Sequence, residues 1–411
     1  MANQSSFYIP AIIKFFVALL FFTANLPILK VGPLSLSFFF GLILVALICV
    51  KYPQYLKSCR HIRLLLFFVA FSILSLFFSP LSLDGQSLFT LLQICYWYIL
   101  ATIFSNVFHV IETKIVIYAM LMALILTGIV FFIIPGEDGP LSQNESSFIA
   151  ICLWPFALLL YTKGVKRILY VMSALVLLFL IGSRTGLIVV LLQIGGLYVI
   201  RKVSLKTITK FAVFIALIIV GISNVSVRTS IAETLFPEEA DMQLLIENPN
   251  VSFQMDKSWV QRRIQQEKCK QVFAQNPILG IGPLNVEKYR FNINISKLGD
   301  LDSSILGLEL RNSDFRSAHN SYYQLLAENG IAGVVLLSLL LFSVIKRMYN
   351  NKGIIGSEIA LISLLGALVN LFMVSALWGT NTWLLLGIFM GYSKNSNKNN
   401  NNVIKCYDTN R

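Results

Sequence analysis

Among the charged residues of this 411-residue chain, Arg184 is the one whose position asks for a chemical explanation. It stands within Gly182, Ser183, Arg184, Thr185 and Gly186, between two apolar runs of helical length with almost no loop to separate them. Arginine inside a membrane span costs roughly 2.5 to 3.5 kcal/mol at the centre and less near an end, where it can snorkel. Something anionic should compensate it. A phospholipid headgroup would serve, and so would a substrate phosphate, since the planar guanidinium fork matches phosphate oxygens bidentately. His319 is the second residue of interest: an imidazole can take a proton from a hydroxyl near neutral pH, or it can be a hydrogen-bonded surface group. The other two histidines have different settings, His61 in a basic loop and His109 at the end of an apolar run.

The composition dictates what must position these residues. Hydrophobic residues make up 56% of the chain and charged residues 13%, with a mean hydropathy of +0.73. A soluble protein carries about 25% charged residues, so a water-soluble fold is excluded. Apolar runs of helical length lie at about 8–27, 33–50, 63–80, 88–109, 115–135, 147–162, 168–183, 185–200, 211–225, 331–345, 354–376 and 379–392. With about 20 residues needed per span, these predict an all-α polytopic membrane protein of ten to twelve transmembrane helices. The first run has no small-residue cleavage site and is expected to be a retained anchor.

The net charge of +13 would suggest nucleic acid in a soluble protein. Here it reports sidedness. Lys and Arg in short loops resist translocation, and nineteen of the 33 fall on the side shared with the N-terminus, from Lys51, Lys57, Arg60 and Arg63 to Lys394 and the tail. The opposite short loops hold Asp84, Glu137, Asp138 and Glu145, with Lys30 and Arg184 as their basic members. The expected topology is therefore N-in and C-in, and nucleic acid is dropped as a partner. The expected organisation is spans over 1–225, a large outer loop over 226–330 carrying the site, spans over 331–392, and an Asn-rich, disordered inner tail over 393–411. The six cysteines have no pairing or metal-ligand spacing.

From Ser226 to Asn320 the chain has no membrane-length apolar run but holds eleven basic and twelve acidic residues. A loop this long is usually functional. Within it, residues 258–275 read as an amphipathic helix, with Val260, Ile264, Val272 and Phe273 on one face and Arg262, Arg263, Glu267, Lys268 and Lys270 on polar faces. Asn276 and Pro277 should stop this helix, and Gly280 and Gly282 should make a tight turn. Asn320 or Ser321 can cap a following helix that Gly330 can end, which leaves His319 at its mouth. Glu328 lies about half a turn around from His319 on a continuous helix, and a structural part is expected for it.

In these residues the chain resembles the O-antigen ligase and O-antigen polymerase family of bacterial envelope glycosyltransferases. The pieces are the Gly182-to-Gly186 segment, the Arg262 helix ending at Pro277 with Gly280 and Gly282 beyond it, and His319-Asn320 followed by Glu328, Gly330 and Gly333. The resemblance covers roughly residues 145 to 345 and implies a GT-C-like arrangement in the inner membrane with the active site on the periplasmic side. It implies a glycan carried on undecaprenyl diphosphate, transferred to an acceptor hydroxyl with the lipid diphosphate as leaving group, without cofactor, nucleotide or metal. The acceptor would be a lipid-linked repeat unit in a polymerase, with a chain-length regulator as a further partner, or lipid A-core or a protein in a ligase. Matched residue by residue, Arg184 and Arg262 would hold the diphosphate, with Arg263 as the neighbour that could stand in, and His319 would be the base. Arg290, Arg311 and Arg316 are further cations for a diphosphate or acidic glycan, with solvated surface charge as their alternative. Asn320, Glu328 and Gly330 would be structural neighbours. The stretch from His319 through Tyr322, Tyr323 and Leu325 to Gly330 looks more polymerase-like. A transporter or flippase is the competing class, but transporters keep ionisable groups in mid-membrane, and the spans here hold few, Lys14, His109 and Glu358.

Overall fold

The computed structural model describes residues 10–24, 30–31, 34–57, 59–81, 83–108, 143–159, 184–202, 257–289, 318–351 and 353–394, with isolated helical positions between 118 and 126. Helices dominate. The first part contains α1 (Ala11–Ala24), α2 (Leu36–Lys51), α3 (Arg60–Phe77) and α4 (Gly85–Val107). After these come α5 (Gln143–Ala157), α6 (Arg184–Lys202), α7 (Lys257–Gln275), α8 (Ser321–Asn350), α9 (Ile355–Asn370) and α10 (Thr380–Ser393). The departure from the all-α expectation is an antiparallel ribbon, Lys30–Val31 against Leu34–Ser35, which turns the chain between α1 and α2.

Helices lie in nine of the expected apolar runs, while the runs at 168–183 and 211–225 and most of 115–135 fall outside the described residues. Three helices, α3, α4 and α8, are long and apolar enough to cross a membrane. Their outward faces are apolar, with Phe67, Leu92 and Phe342 each more than 60% exposed. In water such faces would demand cover; in lipid they are already solvated. The chain is a membrane protein by this test of length and composition.

Inside, the helices meet through aromatic rings and a few fully bonded polar groups. Phe68, Trp97, Trp378 and Trp383 stack with centroids 6.0 to 6.4 Å apart, tying α3 and α4 to α10 and the turn before it. Gln193 of α6 donates to the carbonyls of Ile151 and Ile362 and accepts from the Trp154 indole, which clamps α5, α6 and α9 together. An amide buried in an apolar setting is tolerable only when it is bonded in this way. Asp84 caps α4 by accepting from the Ser87 amide at 2.7 Å, and its carboxyl is pushed down to about 2 by the Ser87 hydrogen bonds and the Lys288 ammonium 3.2 Å away.

Candidate active site

The site region is built on a knot where a turn after α7 docks into a break in α8. Gly330 interrupts α8 with φ 59° and ψ −169°, so the helix is two segments meeting at a kink. The break frees backbone groups that the turn at 277–282 takes up. Ile281 N–H donates to the Ala327 carbonyl, Gly282 N–H to the Glu328 carbonyl, and Ile331 N–H to the Pro277 carbonyl at 2.8 Å. The contact is too close for side chains: a Cβ on Gly330 would sit 2.2 Å from the Ile278 oxygen, and one on Gly280, at φ 71°, 2.3 Å from the Glu328 carbonyl carbon. A positive φ with no room for Cβ selects glycine.

Ser72 and Ser75 of α3, and Ser79 just after it, secure this knot from the side. Ser75 Oγ donates to the carbonyls of Leu279 and Glu328, Ser79 Oγ to that of Ile281, and Ser72 Oγ accepts from Asn329 Nδ2. Sequence reasoning passed over them, although Ser72, Ser75 and Ser79 form a polar stripe at helical spacing in an apolar span. Glu328 is fully buried and accepts from Gln324 Nε2 at 3.2 Å, from the Val286 amide at 3.5 Å and from the Trp378 indole at 2.5 Å. With three donors on one carboxyl, its observed surroundings are those of a bracket between α8, the 283–289 turn and Trp378.

At the other end of this first segment of α8, the chain enters through His319. Asn320 is the N-cap, as the sequence suggested, its side chain accepting from the Tyr322 and Tyr323 amides at 3.0 and 3.1 Å. His319 precedes the cap with φ 48°, half-buried between buried Ala318 and Asn320. A non-glycine residue at positive φ is uncommon, and strained backbone persists where the surroundings over-determine it. Here they do. Ser321 N–H donates to the carbonyls of Leu371 and Val374, its hydroxyl donates to Val374 O and accepts from Ala376 N–H, and Tyr322 OH donates to Leu368 O. The segment carrying His319 is therefore fastened to the turn that follows α9.

Arg262 reaches the same turn. Helix α7 runs parallel to the first segment of α8, with Lys270 over the Tyr323 ring and the Pro277 carbonyl bonded to Ile331. Eight residues before Lys270, about 12 Å at 1.5 Å per residue, Arg262 lies beyond the N-cap of α8. There its Nη1 comes within 4.0 Å of the Met373 sulfur. Val260, Ile264 and Val272 are buried as their spacing implied, but Glu267 and Lys268, expected on a polar face, are 7% and 0% exposed. The reason is tertiary: Cys269 and Val272 pack with Ile281, Val286, Ala318 and Ala327, so the turn and α8 close over a wider face than one helix reveals. Burial raises the Glu287 carboxyl in this region, against the pull of Lys268.

Arg184 is the first residue of α6, and its side chain lies outside the described residues. Farther along the helix, α6 packs against α9. Gln193 bonds the carbonyl of Ile362 and abuts Gly366, while Gly196 abuts Ile362, so the helices are antiparallel. Arg290, Arg311 and Arg316 lie outside the described residues. Sequence reasoning missed the turn at 371–376 and its Met373, because Leu371 to Ala376 are almost all apolar and extend the expected run at 354–376, whereas the helix ends at Asn370.

Residues 169–338 match the family model described as O-antigen ligase. The likeness to that family covers 170 of the chain's 411 residues. The matched stretch contains Arg184, Arg262, His319, Glu328 and Gly330. No curated protein matches the chain.

Proposed function

We propose that the chain is an O-antigen or polysaccharide polymerase, joining undecaprenyl-diphosphate-linked repeat units at the periplasmic face of the inner membrane. The observation that supports this is that Arg262 and the His319 segment meet at the single turn at 371–376, both within the stretch similar to the O-antigen ligase family. In the reaction, His319 accepts the proton of the acceptor hydroxyl as that oxygen attacks the anomeric carbon. The bond from that carbon to the diphosphate breaks, and the lipid diphosphate leaves with the electron pair. Arg184 and Arg262 meet the charge that develops on the leaving group, and donors fixed beforehand in a poorly hydrated site are most effective there. Arg263 is the reserve cation, and Arg290 and Arg316 bind the glycan or diphosphate from the outer loop. The chemistry needs neither metal nor nucleotide.

The proposal takes the membrane frame from the charge distribution: up to twelve spans, both termini inside, and the loop at 226–330 outside with the site. A ligase transferring the glycan to lipid A-core is the second reading, and the likeness to the matched family supports the two equally. The lipopolysaccharide of a deletion strain separates the two. A core bearing one repeat unit is expected for a lost polymerase, and a bare core with polymer left on its lipid carrier for a lost ligase. An unchanged ladder overturns both for that glycan.

A further inference from the structure

A separate feature lies at the opposite end of α3 and α8 from the knot. The two helices run antiparallel: Ser72 and Ser75 meet Asn329 and Glu328 at one end, and Arg60 and His61 meet Arg347 at the other. At that second end is a cavity of about 640 Å³, within the range of small-molecule sites. Its rim holds Arg60, Lys346 and Arg347, and among the described residues no carboxylate lines it. Its lower wall is Leu64, Leu339 and Phe342, and the last two are 51% and 64% exposed on the outward face of α8. Three cations thus sit above an apolar wall that opens sideways.

The local helix chemistry also favours an anion. Arg60 is the first residue of α3, whose first turn has no acidic residue and whose N-cap, Cys59, makes no side-chain cap bond. The positive end of a helix carrying a cation is an unfavourable arrangement, and an anion bound at the first-turn amides relieves it. Lys346 and Arg347 end the long helix α8 on the same rim. Charge alone would suit free phosphate. The apolar wall, continuous with a lipid-facing helix surface, suits an amphiphile.

We infer that this cavity binds an anionic phospholipid, its phosphate held by Arg60, Lys346 and Arg347 and an acyl chain lying along Leu339 and Phe342. The inference rests on α3 and α8 lying in a membrane and is independent of the glycosyl-transfer reading. Basic pockets between helices hold such headgroups, each cation contributing about 1 kcal/mol near a charged surface.

Native mass spectrometry of the full chain in detergent, titrated with phosphatidylglycerol, with phosphatidylcholine or with inorganic phosphate, tests it. The expected result is retention of phosphatidylglycerol over phosphatidylcholine, weakened roughly ten- to thirty-fold in K346Q/R347Q, while K51Q/K57Q, which removes the same charge from the neighbouring loop, retains it. Leu339→Trp, which fills the apolar wall and keeps every cation, should also release the lipid, and this covers the case in which the double variant does not fold. Equal retention of the two lipids, equal loss in both double variants, or displacement by millimolar inorganic phosphate would each overturn the inference. Glycan polymerisation is expected to persist in Leu339→Trp, so failure here and failure of the proposed function are separate results.

Discussion

The two ends of the first segment of α8 use the same short stretch of sequence for opposite purposes. Around Glu328 to Gly330 the Ala327 and Glu328 carbonyls and the Ile331 N–H are bonded by the 277–282 turn, the carboxyl has three donors, and glycine is required by a backbone that approaches within van der Waals contact. At His319 the side chain is half-buried, the backbone is held at positive φ, and the neighbouring cation sits beside a thioether. The difference teaches that residues which travel together in a motif need not share a role. Burial with many bonds to distant segments distinguishes the Glu328 end, and partial exposure on an over-determined backbone distinguishes the His319 end.

The sharpest way to break this comparison is Gly330→Ala. With no room for Cβ on either account, of φ or of contact, the variant is expected to lose the folded, monodisperse protein on size-exclusion chromatography. A wild-type melting midpoint would remove the knot from the argument. His319→Ala should do the reverse, reducing polymer formation from lipid-linked repeats by at least about a hundredfold while the melting midpoint stays where it was.

Arg184→Lys and Arg262→Lys keep the charge and lose the fork, so each is expected to lower the rate by roughly tenfold or more. Arg263→Lys should change it little if Arg262 is the contact. Equal rates in all three would show that bidentate geometry is unimportant. Trp378→Phe keeps the aromatic stack and leaves one Glu328 oxygen without its donor, which should cost about 1 to 3 kcal/mol, with activity following the folded fraction. A large loss of rate without loss of stability would move Glu328 into the reaction.

The smallest effect belongs to the rim of the knot. Asp84 is tied to Ser87 and Lys288, and its depressed carboxyl contributes above its ordinary value of 3.8 and loses that contribution as the pH falls towards about 2. Melting curves of Asp84→Asn and the parent chain should therefore differ slightly at neutral pH and converge on acidification over that window. A constant difference would mean that the capping geometry, and not the charge, is at work.

Part of the region around the knot was legible because local residue types are signals that a single chain can express. Asn320 has the chemistry of a helix cap, and Gly280 and Gly282 follow a proline at a helix end. Met373, Trp378 and the α3 serines were not legible, since each acquires its role from a partner between about 50 and 250 positions away.

The sequence by itself determined that this is a helical membrane protein with its polar chemistry gathered in one stretch, because hydropathy and charge are local sums that need no partner. Only the tertiary structure decided that Glu328 is a bracket, that Lys268 is buried, and that α7, α8 and the end of α9 meet at one turn. Those outcomes depend on which surfaces face each other, and in an apolar medium it is backbone hydrogen bonds and close packing between distant segments that settle this.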